Sequence, residues 1–166
     1  MVLPNILICG TPGVGKSTVV EQLVEATGWK SINVGQFAKD HGHICEQDEE
    51  RNCGILDEDP LLDDLEEVQK NGGNIFEFHG SEMFPERWFS LVVVLKTDNK
   101  ILYERLEKRG YTDAKIQENV SCEIMQVLEA EARQNYKPEV VEVVDSNTIE
   151  DIDNIVSVIT NWINQQ

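Results

Sequence analysis

Basic residues are scarce in this chain. Of its 166 residues, 14 are Lys or Arg and 31 are Asp or Glu, a formal charge of −17. A surface so short of cations excludes broad binding to nucleic-acid phosphates, which requires a basic face. It equally excludes a polybasic contact with a membrane. No run of about 18 apolar residues occurs, so no transmembrane helix is expected. The opening MVLPNILICGTPG has no basic n-region, and its apolar run is too short for a signal peptide. The cysteines, at 9, 45, 53 and 122, contain no C-x-x-C pair. That spacing fits neither a disulfide framework nor a zinc ribbon, and makes a reducing cytosolic or nuclear compartment the expectation. Repeats, low-complexity segments and Pro- or Ser-rich linkers are also missing. At this length one domain, residues 1–166, is expected. The charge permits a small anionic ligand only where cations are gathered locally. It favours a basic protein partner, with plain solubility as the alternative.

What is present is an alternation of short apolar runs and helical patterns. Asn5 to Cys9 reads as a buried strand ending at Gly10. A helix follows from Lys16 to Ala26 and stops at Gly28. Ser31 to Val34, Ile75 to Phe78, Leu91 to Leu95 and Val140 to Val144 read as further strands. Asp98 stands as the N-cap of a helix that runs to Arg109 and stops at Gly110. One long helix is expected next, with Ile116, Val120, Ile124, Val127 and Leu128 on a single face. A last helix carries Ile152, Ile155, Val156, Ile159 and Ile163. Strands alternating with helices predict a parallel sheet covered on both faces. Residues 41–70 differ. Eleven acids there, from Glu46 to Glu67, stand against Arg51 and Lys70, a net −9. The first half of that stretch reads as an ordered loop and the second as an amphipathic helix through Leu61, Leu62, Leu65 and Val68.

Gly10-Thr-Pro-Gly-Val-Gly-Lys16-Ser17 matches G-x-x-x-x-G-K-[ST] in full, between a strand and a helix. Its glycines let the backbone curl so that N–H groups point at phosphate oxygens, and the helix N-terminus adds its positive end. Gly13, Val14, Gly15, Lys16, Ser17 and Thr18 are therefore expected to hold ATP, with Ser17 on Mg²⁺. A guanine-reading N-K-x-D is missing, since Thr97-Asp98-Asn99-Lys100 has the letters in another order. A motor or transporter ATPase would need a longer chain. A small kinase of nucleotides or metabolites remains.

Such an enzyme closes a lid over donor and acceptor. Arg105 and Arg109, four apart before Gly110, could neutralise the transferring phosphoryl group; they could also be surface arginines bonded to Glu104 or Glu107. Glu77 and His79 share a face at a strand end. The first suits Mg²⁺ or water orientation and the second suits a proton acceptor, with a half-buried structural histidine as the alternative. His41, His43, Cys45 and Cys53 are metal-capable residues at spacings that structural zinc sites rarely use, and loop residues near the acceptor pocket are the other reading. Cys9 and Cys122 read as core.

The chain resembles the adenylate kinase isoenzyme 6 family, small adenylate-kinase-like ATPases of eukaryotic ribosome assembly. The resemblance rests on PNILICGTPGVGKST, INVG at 32–35, DEE at 48–50, ILDED at 55–59, FHG at 78–80, FPERW at 84–88, LYERLEKRGY at 102–111 and CEI at 122–124. It implies an α/β P-loop NTPase of nucleoside monophosphate kinase type, with a five-stranded parallel sheet flanked by helices. It also implies an NMP-binding segment at 33–56 that includes Asn33, Gly35 and Lys39, and a short lid at 108–118. The implied activities are phosphoryl transfer from Mg²⁺-ATP to AMP or another NMP and intrinsic ATPase, with His79 tied to hydrolysis and Arg109 on ATP. The family's place in small-subunit maturation implies a basic ribosomal protein of the platform as partner, and a nuclear and cytoplasmic location. An assembly ATPase with vestigial kinase activity is the alternative. Three positions depart from the family pattern: Glu77 replaces Asp, Lys39 replaces Arg, and Gln36 replaces an acid. Lys cannot grip a phosphate bidentately, and a carboxylate displaced by ~1 Å can cost ~10²-fold in rate.

Overall fold

The computed structural model describes residues 2–48 and 53–166. Its main sheet has five parallel strands, β1 (Ile6–Cys9), β2 (Lys30–Asn33), β5 (Asn74–Glu77), β6 (Leu91–Lys96) and β7 (Val141–Asp145), ordered β2-β5-β1-β6-β7. A separate antiparallel pair is formed by β3 (Ile44–Asp48) and β4 (Cys53–Leu56). The helices are α1 (Lys16–Thr27), α2 (Val34–Asp40), α3 (Glu58–Gln69), α4 (Asn99–Lys108), α5 (Asp113–Ile124), α6 (Val127–Asn135) and α7 (Ile149–Asn164).

The uninterrupted apolar strands are those of a sheet buried on both faces. Side chains alternate across a strand, so each strand feeds two cores. Ile6 and Ile8 of β1, with Val93 and Leu95 of β6, pack under α1, α4 and α7 through Val19, Leu23, Leu102, Leu106, Ile155 and Ile159. Leu7 and Cys9, with Phe76, Val92 and Val94, face the other way, onto Ala38, Leu61, Leu65, Leu128 and Ala132. That second core is aromatic: Phe76 meets Phe89 edge-on at 5.2 Å, and Phe84 meets Phe89 edge-on at 5.4 Å, the arrangement ring quadrupoles favour.

Helix boundaries follow their caps. Asp98 accepts from the Lys100 N–H at the start of α4. Thr148 and Asp151 form a reciprocal capping box on α7. Gly72, after α3, sits at φ +69° with a Cβ position 2.0 Å from the Leu3 carbonyl oxygen, so only glycine fits.

Two expectations need correction. The stretch after residue 41 is not simply a loop, because β3 and β4 pair there. Their sequence, ICEQD and CGIL, carries no clear apolar alternation, and pairing of the backbone supplies the structure instead. The single long helix after residue 113 is two. Gln126 breaks it at φ 54°, the only non-glycine with positive φ among the described residues. Ile124 and Met125, 58% and 73% exposed, do not continue the buried face. The break carries the chain from one layer to the other: Ile116 of α5 lies in the first core, and Leu128 and Ala132 of α6 lie in the second.

Candidate active site

The loop between β1 and α1 is held through its carbonyls. Lys16 Nζ donates to the Gly10 and Thr11 oxygens, Arg105 Nη1 to the Gly13 oxygen at 3.1 Å, and Ser146 Oγ to the Val14 oxygen at 2.6 Å. With those carbonyls engaged by side chains, the loop's amide groups are left for an anion. Gly13 has φ +95°, and a Cβ there would lie 3.0 Å from both Leu102 and Leu106, so the loop rests directly on α4.

Glu77, at the end of β5, is the buried carboxylate of the site, with 7% exposure. Its Oε1 accepts from Ser17 Oγ at 2.7 Å and its Oε2 from Asn33 Nδ2 at 3.0 Å. Asn33 also caps α2, its Oδ1 accepting from the Gln36 N–H at 3.0 Å. Burial is the main cause that lowers Lys16 to about 8, against the opposing pull of Glu77. His79 follows β5 and leans on Phe78, ring centroids 4.1 Å apart. Desolvation, then Lys16, pushes its pKa down, so the ring is neutral near pH 7 and able to accept a proton.

Lys16, Ser17, Glu77, His79 and Arg109 line one cavity of about 260 Å³, together with Gly13, Asn33 and Gly35. A second, of about 560 Å³, adjoins it and includes Lys39, Ile44, Leu56, Lys115, Asn119 and Cys122. The two share Pro12, Asn33, Gly35, Phe78 and His79 as a common wall. Val14, Gly15 and Thr18 complete the loop and the first turn of α1 without lining the smaller cavity.

Arg105 stands behind the site. Its guanidinium donates to the carbonyls of Gly13, Ser146 and Asn147 at 3.0–3.1 Å, not to Glu104 or Glu107. Burial, then Arg109, lowers its pKa. Glu123 of α5 is an equally specific brace that sequence reasoning did not single out. Its Oε1 accepts from Thr11 Oγ1 at 2.7 Å and its Oε2 from the Thr97 N–H at 3.1 Å. The only signal was its place within the CEI segment, which names no chemistry.

Cys9 is core, its thiol pushed up to about 12 by burial. Cys122 is not; it is partly exposed on the wall of the larger cavity, because α5 turns that side toward it. His41 Nδ1 bonds the Phe37 carbonyl, and His43 Nε2 bonds Asp64. The Cys45 and Cys53 side chains lie outside the described residues, and among those described no group of three or more His, Cys, Asp or Glu is placed to hold a metal ion. No described helix is long and apolar enough to cross a membrane.

A family described as "AAA domain" matches residues 6–126. The adenylate kinase isoenzyme 6 homolog of Dictyostelium discoideum is 47% identical over 96% of this chain and 91% of its own. The Saccharomyces cerevisiae homolog of that name is 45% identical over 96% and 81%, and the Drosophila melanogaster one 40% over 97% and 92%. In fold, the chain is similar to shikimate kinase from Acinetobacter baumannii, with a TM-score of 0.67 at 16% identity over 99% and 95% of the two chains. It is likewise similar to a gluconokinase from Sinorhizobium meliloti, with a TM-score of 0.61 at 16% identity over 98% and 97%.

Proposed function

The chain belongs to the adenylate kinase isoenzyme 6 family and has its nucleotide-kinase fold, and on that premise we propose that it transfers the γ-phosphoryl group of ATP to AMP or another nucleoside monophosphate. The observation that carries this reading is the pair of adjoining cavities with one wall, which the reading assigns to donor and acceptor. In-line transfer is chiefly a matter of holding two anions in register and balancing charge. Lys16 and Arg109 supply cations to the donor side and Lys39 and Lys115 to the acceptor side, where Ile44, Leu56 and Phe78 offer apolar surface to a base. The larger cavity lies within the usual range of small-molecule sites, roughly 300–1,000 Å³.

The donor set fits Mg²⁺. The Ser17 hydroxyl and the Glu77 carboxylate are hard oxygen ligands 2.7 Å apart. When bound, the ion neutralises phosphate charge and orients it. Asn33 fixes the carboxylate that serves this site. His79, neutral on the shared wall, accepts a proton from an attacking water in this reading, and ATP hydrolysis beside transfer is the activity it predicts.

A second role is favoured by the acids that flank the acceptor side. Asp57, Glu58, Asp59, Asp63 and Glu67 are exposed on and before α3, within the stretch of net −9. In this reading ATP hydrolysis releases a basic small-subunit ribosomal protein, the kinase activity is vestigial, and the protein works in nucleus and cytoplasm during ribosome maturation. One measurement separates the two: ATP turnover with and without each NMP and with and without that protein. NMP-dependent ADP formation supports the kinase. Steady hydrolysis indifferent to every NMP defeats it, and hydrolysis coupled to the ribosomal protein supports the assembly role.

A further inference from the structure

The far edge of the sheet carries a groove that takes no part in the nucleotide site. No described strand pairs with the outer side of β7. α7 packs beside α1 over one sheet face through Ile155, Ile159 and Ile163, and also turns an apolar side to that edge. Ile155, Val158, Ile159 and Trp162 recur there at helical spacing. With Leu91, Val93 and Val144 as floor they enclose about 470 Å³. Val158 is 63% exposed, an uncovered apolar side chain in the middle of the helix.

The rim has one sign. Glu139, Glu142, Asp145 and Asp151 border the groove, and no Lys or Arg lines it. Asp151 is committed to capping α7. Glu139, Glu142 and Asp145 are exposed and join no ion pair among the described residues. A second copy of the chain is the wrong occupant, since a twofold contact would set these carboxylates against themselves. The space beside α7, over the β7 edge of the sheet, is where a further helix of the same layer would lie.

We propose that this groove docks an amphipathic helix of a partner protein, apolar along one side and bearing Lys or Arg on its flanks. The apolar side meets Val158 and Trp162, and the cations meet Glu142 and Asp145. The surface is separate from the acidic stretch around α3 and does not depend on the phosphoryl-transfer reading.

The test is titration of the intact chain with a 16-residue synthetic helix with Leu at i, i+3, i+4 and i+7 and Lys elsewhere. Amide shifts locate the contact. Binding that weakens with salt and perturbs α7 and β7 is expected. Val158→Glu should weaken it at least about tenfold, the scale of burying one aliphatic side chain. Glu142→Lys with Asp145→Lys should weaken it about fivefold or more. All these positions are exposed, so ATP turnover should be unchanged in every variant. The proposal is overturned if a Ser-for-Leu peptide binds equally well, if the shifts map to α3, if Val158→Glu has no effect, or if the free chain dimerises through α7.

Discussion

The Glu77 carboxylate reaches Ser17 with one oxygen and Asn33 with the other, a span matched to the full length of a glutamate. Shortening it draws the carboxylate back by about one bond. Glu77→Asp is therefore expected to lower turnover by about tenfold to 10²-fold, while ATP binding, measured by calorimetry, holds within a factor of about three. Lys16 gives a pH signature. In the proposed function its charged form grips phosphate, and burial lowers its pKa to about 8 in the free protein. Below that value the ammonium is present and ATP affinity is flat. Above it, binding must take up a proton, so affinity falls, approaching about tenfold per pH unit. A kcat/KM profile for ATP from pH 6 to 10 checks this. The P-loop residues were legible because the chemistry of phosphate binding fixes both residue type and spacing. Glu123 and Ser146 were not, because they act through a hydroxyl or a carbonyl from elements distant in sequence.

Among the elements, α4 does two jobs. Its apolar side supports the Gly13 backbone, and Arg105 ties that loop to the turn after β7. Arg105→Ala leaves three carbonyls without that donor, at a cost of about 1–3 kcal/mol. For a chain of this size that lowers Tm by roughly 2–12 °C. The loop loses its rear support, so KM for ATP should rise about tenfold while kcat changes less. Steady-state kinetics beside a thermal melt separates the two effects. A residue contacting the transferring group would instead lower kcat at unchanged KM. Strands and capped helices were readable from apolar runs and from Asp98, Gly28 and Gly110. The β3–β4 pair was not, since its residues show no alternation of apolar and polar positions. Nor was the division of α5 from α6, because Ile124 and Val127 preserve a helical rhythm across a break set by one backbone dihedral at Gln126.

At the scale of the molecule, charge dominates. A surplus of −17 repels itself in the compact state, and salt screens it with a Debye length of ~30 Å at 0.01 M and ~10 Å at 0.1 M. Thermal melts are expected to shift upward by several degrees over that range. A flat response would mean that the carboxylates are balanced locally. The sheet order could not be read from the chain, but its parallel sense and its layers could, because continuous apolar strands between amphipathic helices admit few other arrangements.

The double-sided strands carry a consequence for how this protein tolerates change. Ile8 and Leu7 are covalent neighbours, yet they belong to different cores, whereas Ile8 shares its core with Ile155 near the other end of the chain. Adjacent substitutions in β1 are therefore felt by different sets of neighbours, and a change that compensates one at Ile8 can lie as far along the chain as Ile155. Inheritance in such a strand runs as two interleaved texts, each edited against its own core.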